Sequence, residues 1–220
     1  MDDFILDTDR EKRLGFPEVI FGSSKSVDLL RRILNEYHSK GENALATRVQ
    51  PDKGHALMES FPDAHYDSGS QSFLLQYRKL DDTNAPIAIL SAGSSDLSAV
   101  NEAYFTLNLL GTAAKRVNDV GVAGIHRLFN RLDDFKECRV LIVVAGFEGA
   151  LPSVVGGLLS QPIIAVPTSV GYGVAQSGTT ALHAMLTSCS NGITVTNIDN
   201  GYGAAMAAYR ILRQIEADPS

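Results

Sequence analysis

A thiol, a carboxylate and an imidazole stand in this 220-residue chain among small or apolar neighbours. Cys189 lies in Ser188-Cys189-Ser190-Asn191-Gly192, with serine on either side, where a structural cysteine would ordinarily lie within apolar residues. An apolar stretch over 181–186 leads into it with helical spacing, and Asn191-Gly192 reads as a helix stop. The β-branched run 193–198 reads as a strand, so Cys189 is expected at the end of a helix, just before a core strand and open to a substrate. The plain alternative is a buried thiol acting as a small hydrophobe. Glu148 is an isolated carboxylate between Gly146-Phe147 and Gly149-Ala150-Leu151-Pro152. Buried, it would suit a general base; exposed, it would simply begin a helix, whose dipole favours it. His126-Arg127 pairs an acid/base group with a fixed cation, although such neighbours commonly form a surface pair. In Gly93-Ser94-Ser95-Asp96, Ser94 and Ser95 are placed to bind a phosphate or carboxylate at a helix N-terminus; otherwise Ser95 or Asp96 is only a cap.

The elements that must position these residues alternate. Unbroken or β-branched apolar runs at 87–90, 140–144, 162–167 and 193–198 read as strands, and 114–120 is taken as a further one. Helical patterns lie over 98–110 and 124–135, after Pro152, before Cys189, and in an alanine-rich last segment. Such alternation predicts an α/β domain, a parallel sheet flanked by helices, with the ligand over the carboxyl ends of the strands. Glycine-rich turns follow the fourth strand, with Ser169, Gly171, Tyr172 and Gly173, and the fifth, with Asp199, Asn200 and Gly201. Glycines there let backbone approach a ligand closely, and five small, polar turns at one edge favour an active site.

Ahead of this domain, residues 1–80 read as a small N-terminal α/β module. Thr8 or Asp9 would cap a short helix over 10–13, and a strand is expected over 17–22. Ser26 opens an amphipathic helix with Val27, Leu30, Ile33, Leu34 and Tyr37 on one face, and Gly41 ends it. A strand over 44–49, a helix over 54–59 and a polar turn with one strand over 64–80 complete the module. Residues 81–86 read as a linker and 87–220 as the larger domain.

Composition narrows the function. A net charge of −6 argues against nucleic acid as a partner, and no uncharged run is long enough to span a membrane. The acidic start lacks an apolar signal core, and the two cysteines are too far apart for a metal cluster, so a reduced cytoplasmic protein is expected. No Gly-x-Gly-x-x-Gly follows the first strand and no P-loop occurs, which gives no support to a redox dinucleotide or P-loop chemistry.

Taken together, Gly93-Ser94-Ser95-Asp96, Gly124-Ile125-His126-Arg127, Glu148-Gly149-Ala150-Leu151-Pro152, Pro162-Ile163-Ile164-Ala165-Val166-Pro167 and Asn200-Gly201-Tyr202-Gly203 resemble the aminoimidazole ribonucleotide carboxylase (PurE-like) superfamily. Gly15-Phe16-Pro17-Glu18-Val19-Ile20-Phe21-Gly22 and the Cys189 segment resemble, within it, the pyridinium-3,5-biscarboxylic acid mononucleotide synthase family of nickel-pincer nucleotide biosynthesis. Gly93-Ser94-Ser95-Asp96 stands where that pattern has Gly-Thr-Ser-Asp, keeping the hydroxyl, and Val174-Ala175-Gln176-Ser177 departs from it. The resemblance implies a PurE-like three-layer domain and a carboxylase/hydrolase acting on nicotinic acid adenine dinucleotide, with CO2 or bicarbonate as co-substrate and no redox cofactor. It implies Cys189 as nucleophile, Glu148 as base and His126 as acid/base group. The implied substrate contacts are Gly93, Ser94, Ser95, Asp96, Arg127, Gly149, Ser169, Gly171, Tyr172, Gly173, Asp199, Asn200 and Gly201. Mg²⁺, a hard cation, would suit the pyrophosphate. A homo-octamer is implied too, with Ala204, Ala205, Ala207 and Ala208 as a face for a neighbouring copy. The alternatives are carboxyl transfer on an aminoimidazole nucleotide, and a dinucleotide-binding regulatory module without turnover.

Overall fold

In the computed structural model, which describes residues 4, 6, 7 and 9–217, patterning and turn chemistry set where most elements begin and end. Two units are distinguished, one running up to Leu80 and including Asn108–Gly111, the other comprising Asp81–Leu107 and the chain from Thr112.

The first unit contains α1 (Arg10–Leu14), β1 (Ile20–Phe21), α2 (Val27–Lys40), β2 (Ala44–Thr47), α3 (Pro51–Ser60), β3 (His65–Asp67) and β4 (Ser72–Leu75). Thr8 lies outside the described residues; Asp9 occupies the N-cap of α1 without a side-chain cap bond. The Leu29 N–H donates to Ser26 Oγ at 3.2 Å to start α2, and Gly41, with φ +65°, ends it. Leu30, Ile33, Leu34 and Tyr37 are buried as their spacing predicts. The stretch 64–80 differs from expectation. It holds a hairpin, because the Ser70 N–H donates to Asp67 Oδ2 at 2.8 Å and turns the chain between two short strands. The sheet is mixed, in the order β1-β2-β4-β3.

The second unit is a three-layer α/β domain. Its strands are β5 (Ile87–Ser91), β6 (Ala114–Val117), β7 (Val140–Ala145), β8 (Ile163–Pro167) and β9 (Ile193–Val195). Its helices are α4 (Leu97–Leu109), α5 (Ile125–Phe135), α6 (Leu151–Leu158), α7 (Thr179–Leu186) and α8 (Gly201–Ala217). All strand pairs are parallel, in the order β6-β5-β7-β8-β9. Alternate strand residues feed opposite faces. Ile87, Ile89, Ile142 and Val144 pack with Val100 and Leu107 of α4 and Ala204 and Ala208 of α8. Ala88, Leu90, Leu141 and Val143 pack with Leu128 of α5, Val155 of α6 and Met185 of α7.

Two expectations are corrected here. The small face of α8 is consumed inside the chain: Ala204, Ala205 and Ala208 are buried, and a Cβ on Gly201 would come within 2.1 Å of the Ala99 carbonyl. The strand after Cys189 is not a core strand. It is three residues long, lies at the sheet edge and is only partly buried, because Asn197 and Asp199 already turn the chain toward α8.

Candidate active site

From β5 the chain passes to β6 on one side and returns to β7 on the other, so the crevice between the carboxyl ends of β5 and β7 is the topological switch point. A cleft of about 320 Å³ opens there. Gly93, Ser95 and Asp96 line it from the turn after β5, Gly121, Val122 and Arg127 from the segment after β6, and Gly146, Phe147 and Glu148 from the turn after β7. The turns interlock through backbone. A Cβ on Gly121 would meet the Ala92 carbonyl at 2.6 Å, and one on Gly146 would meet the Val170 carbonyl at 2.5 Å and Thr168 Oγ1 at 2.7 Å.

Asp96 fastens three of these turns. The Gly93 N–H donates to its Oδ2 at 2.9 Å, Thr168 Oγ1 donates to its Oδ1 at 2.7 Å, and the Gly146 N–H also donates to it. The residue is only 4% exposed, and burial pushes its carboxyl above the usual range. The hydrogen bonds from Thr168, Gly93 and Gly146 oppose that shift without cancelling it.

Glu148, by contrast, is exposed, so this chain alone does not supply the desolvated carboxylate that its apolar neighbours suggest. It precedes α6 in a turn where Phe147 has φ +51° and Gly149 has φ +62°. Arg127 pairs with Asp119, Nη1 to Oδ2 at 2.6 Å.

Of the residues expected at a site, the cleft brings together Gly93, Ser95, Asp96, Arg127 and Glu148. Ser94 and His126 are exposed and do not line it. Gly149 packs on α7, where a Cβ would meet the Ala181 carbonyl at 2.8 Å. The Ser169 N–H donates to Asp199 Oδ1 at 2.9 Å, which ties the turn after β8 to the one before α8. Gly171 and Gly173 flank Tyr172, whose ring meets that of Phe147 edge-on. Asn200 Oδ1 accepts from the Gly203 N–H at 2.8 Å and caps α8, and Gly201 is buried against α4. Asn200 and Gly201 therefore serve the helix start.

Cys189 does not line the cleft. It is exposed, three residues beyond the end of α7, and its neighbour Ser188 shares a 2.6 Å hydrogen bond with Ser153 of α6. The strand it leads into begins level with the first residue of β8, Ile163 opposite Ile193, at the amino-terminal edge of the sheet. Among the described residues no group of three or more His, Cys, Asp or Glu side chains could hold a metal ion. At the cleft, Asp96 is engaged by its donors and Glu148 is the exposed carboxylate, so these residues do not fit a Mg²⁺ site within one chain. No helix among the described residues is long and apolar enough to cross a membrane.

Several residues at the site carried no clear signal in the sequence. Thr168 looked like part of a glycine loop, yet it is buried against Asp96. Asp119, with φ +61°, gave no motif, and its pairing with Arg127 joins the two ends of a turn. Phe147 passed as an apolar neighbour of Glu148, yet it faces the cleft.

Fold and cleft together define an α/β domain with a cleft at the switch point of its parallel sheet. The chain belongs to the AIR carboxylase family, which residues 86–218 match, and residues 2–78 match the LarB/PurE-like N-terminal domain. It is 39% identical over 211 residues to an uncharacterised protein of Methanocaldococcus jannaschii, covering 92% of this chain and 81% of that one. It is 32% identical over 133 residues to the N5-carboxyaminoimidazole ribonucleotide mutase of the same organism, covering 57% of this chain and 78% of the mutase. Among solved structures, a variant of Treponema denticola PurE2 aligns with a TM-score of 0.49 at 21% identity, over 58% of this chain and 79% of that one. The two family matches and the mutase relative support a carboxyl-transfer type of function.

Proposed function

We propose that this protein is a cytoplasmic carboxylase/hydrolase that converts nicotinic acid adenine dinucleotide and CO2 to pyridinium-3,5-biscarboxylic acid mononucleotide and AMP, in nickel-pincer nucleotide synthesis. The observation that carries this reading is the pairing of a LarB/PurE-like N-terminal segment with an AIR carboxylase domain in one chain. The mutase relative matches only 57% of the chain, and the purine alternative gives the exposed Cys189 no task.

The chemistry explains why a thiol is needed. A pyridinium carbon is electron-poor, and so is CO2, so the two do not combine directly. The Cys189 thiolate adds to a ring carbon beside the target position, forming a C–S bond and converting the cation into a neutral enamine. The enamine carbon then attacks CO2 and forms the new C–C bond. Glu148 accepts the proton from that carbon, the C–S bond breaks, and thiolate departs as aromaticity returns. The cleft residues Gly93, Ser95 and Arg127 bind the phosphate and carboxylate groups of the substrate, and His126 assists proton movement. Water cleaves the phosphoanhydride to release AMP; no group of this chain is assigned to that step.

Because Cys189 lies at the other edge of the sheet, the reaction requires a second copy of the chain to bring its Cys189 to the cleft of the first. The protein is accordingly a homo-oligomer, an octamer in this reading. Incubation with the dinucleotide and bicarbonate, followed by mass spectrometry, tests the whole scheme. The expected products are AMP and a mononucleotide carrying one added carboxyl. Carboxylation of an aminoimidazole ribonucleotide, with the dinucleotide left intact, would return the protein to the purine reaction.

A further inference from the structure

Beside the cleft the chain maintains an arrangement that packing does not require. Phe147 lines the cleft with its side chain 43% exposed, while its backbone is held at φ +51°. A bulky residue there is an outlier, since the left-handed region is cheap only for glycine and, less so, asparagine or aspartate. The Phe147 N–H donates to the Val170 carbonyl at 2.8 Å, which ties this turn to the one after β8. From the turn after β8, Tyr172 meets Phe147 edge to face, with ring centroids 5.5 Å apart and planes at 90°. Tyr172 is itself 78% exposed. Scattered single exposed aromatics need no explanation, but two paired rings at the mouth of a cleft, one on a strained backbone, do.

We infer that Phe147 and Tyr172 form an aromatic wall that binds the flat, positively charged pyridinium ring of the substrate. This rests on the function proposed above and names the residues that select the ring. Aromatic faces carry negative charge and attract flat cations, and the chain places the Glu148 carboxylate next to Phe147 on the same turn. An electron-rich wall beside a carboxylate favours a cationic ring over a neutral ring of the same shape.

The test compares two forms of one ligand, nicotinic acid adenine dinucleotide and the same dinucleotide with its ring reduced to the uncharged dihydropyridine. Titrations are done in a Cys189→Ser background, so that covalent addition cannot contribute. With both rings of the wall present, the oxidised form should bind roughly fivefold to tenfold more tightly. Adding Phe147→Leu or Tyr172→Leu should bring that ratio close to one, and Phe147→Tyr should keep it. Equal binding of the two ring forms, or a preference that survives both leucine variants, overturns the wall while leaving the dinucleotide reading intact. No binding of either form overturns both. A changed assembly size in the leucine variants, with ring preference unaltered, would make this patch a contact between copies and also overturn the proposal.

Discussion

At the carboxyl edge of the parallel sheet, backbone presses on backbone, with Gly121 against Ala92, Gly146 against Val170 and the Asp96 carboxylate fastened to the turns around it. At the amino edge, the turn carrying Cys189 is exposed, and Gly192, with φ +84°, has nothing within 4 Å of where a Cβ would stand. One region is a preformed cleft without a thiol; the other is an exposed thiol without a cleft. The difference teaches that preorganisation and reactivity need not be built by the same part of a chain. A rigid pocket needs many close contacts, while a thiol that acts in another copy's cleft, as proposed above, would have to stand clear of its own.

The sharpest way to break this comparison is Cys189→Ser, which should abolish carboxylated product by mass spectrometry while sparing dinucleotide binding. Cys138→Ser should stay active, because that thiol is buried, donates to the Ala85 carbonyl at 3.3 Å and is pushed up by burial, away from the reactive thiolate. If copies share sites, mixing and reassembling Cys189→Ser with Glu148→Gln chains should restore product that neither variant makes well alone. Mixtures no better than their parents would place the thiol and the base in one chain. Next in size, Glu148→Gln should slow turnover by roughly a hundredfold or more with affinity kept, as for a lost general base. An unchanged rate would reduce Glu148 to a residue at the start of a helix.

Stability effects should be smaller and should separate the two edges. Gly146→Ala forces a methyl group into Val170 and Thr168 and should cost about 1–3 kcal/mol in chemical denaturation. Asp96 should leave a pH signature. Because burial raises its folded value, the stability linked to this group is fully present below the unfolded value of about 4 and is lost as pH rises through the higher folded value. The stability of Asp96→Asn relative to the unsubstituted protein should therefore improve across that window, and a difference independent of pH would contradict the burial argument. The smallest effect is expected from Gly192→Ala, about 1 kcal/mol for the left-handed backbone alone. A larger loss than at Gly146 would reverse the ranking of the edges.

Much of the fold was legible in local patterns. Apolar runs such as Val140-Leu141-Ile142-Val143-Val144 became central strands, and Ser26 and Gly41 bounded α2, because period and capping act over a few residues. The hairpin after Ala64 was missed, since the Asp67–Ser70 turn depends on a side-chain bond that composition does not reveal. At the cleft, the residue types after β5, β6 and β7 were legible as chemistry. The bond from Thr168 to Asp96 was not, because 72 residues of chain separate the partners.

By itself, then, the sequence determined the order of strands and helices, the α/β class and the set of groups able to do chemistry, because each depends on neighbours within a turn or two. Tertiary structure alone decided that Asp96 is buried while Glu148 stays exposed, and that the alanines of α8 are spent on α4 and the sheet. The edge of Cys189, by contrast, was already implied by element order, because a turn that leads from a helix into a strand of a parallel sheet lies at the amino edge. The burial of Asp96 and of the alanines follows from strand order and packing, which bring together segments far apart in the chain, and no local spacing encodes those partners.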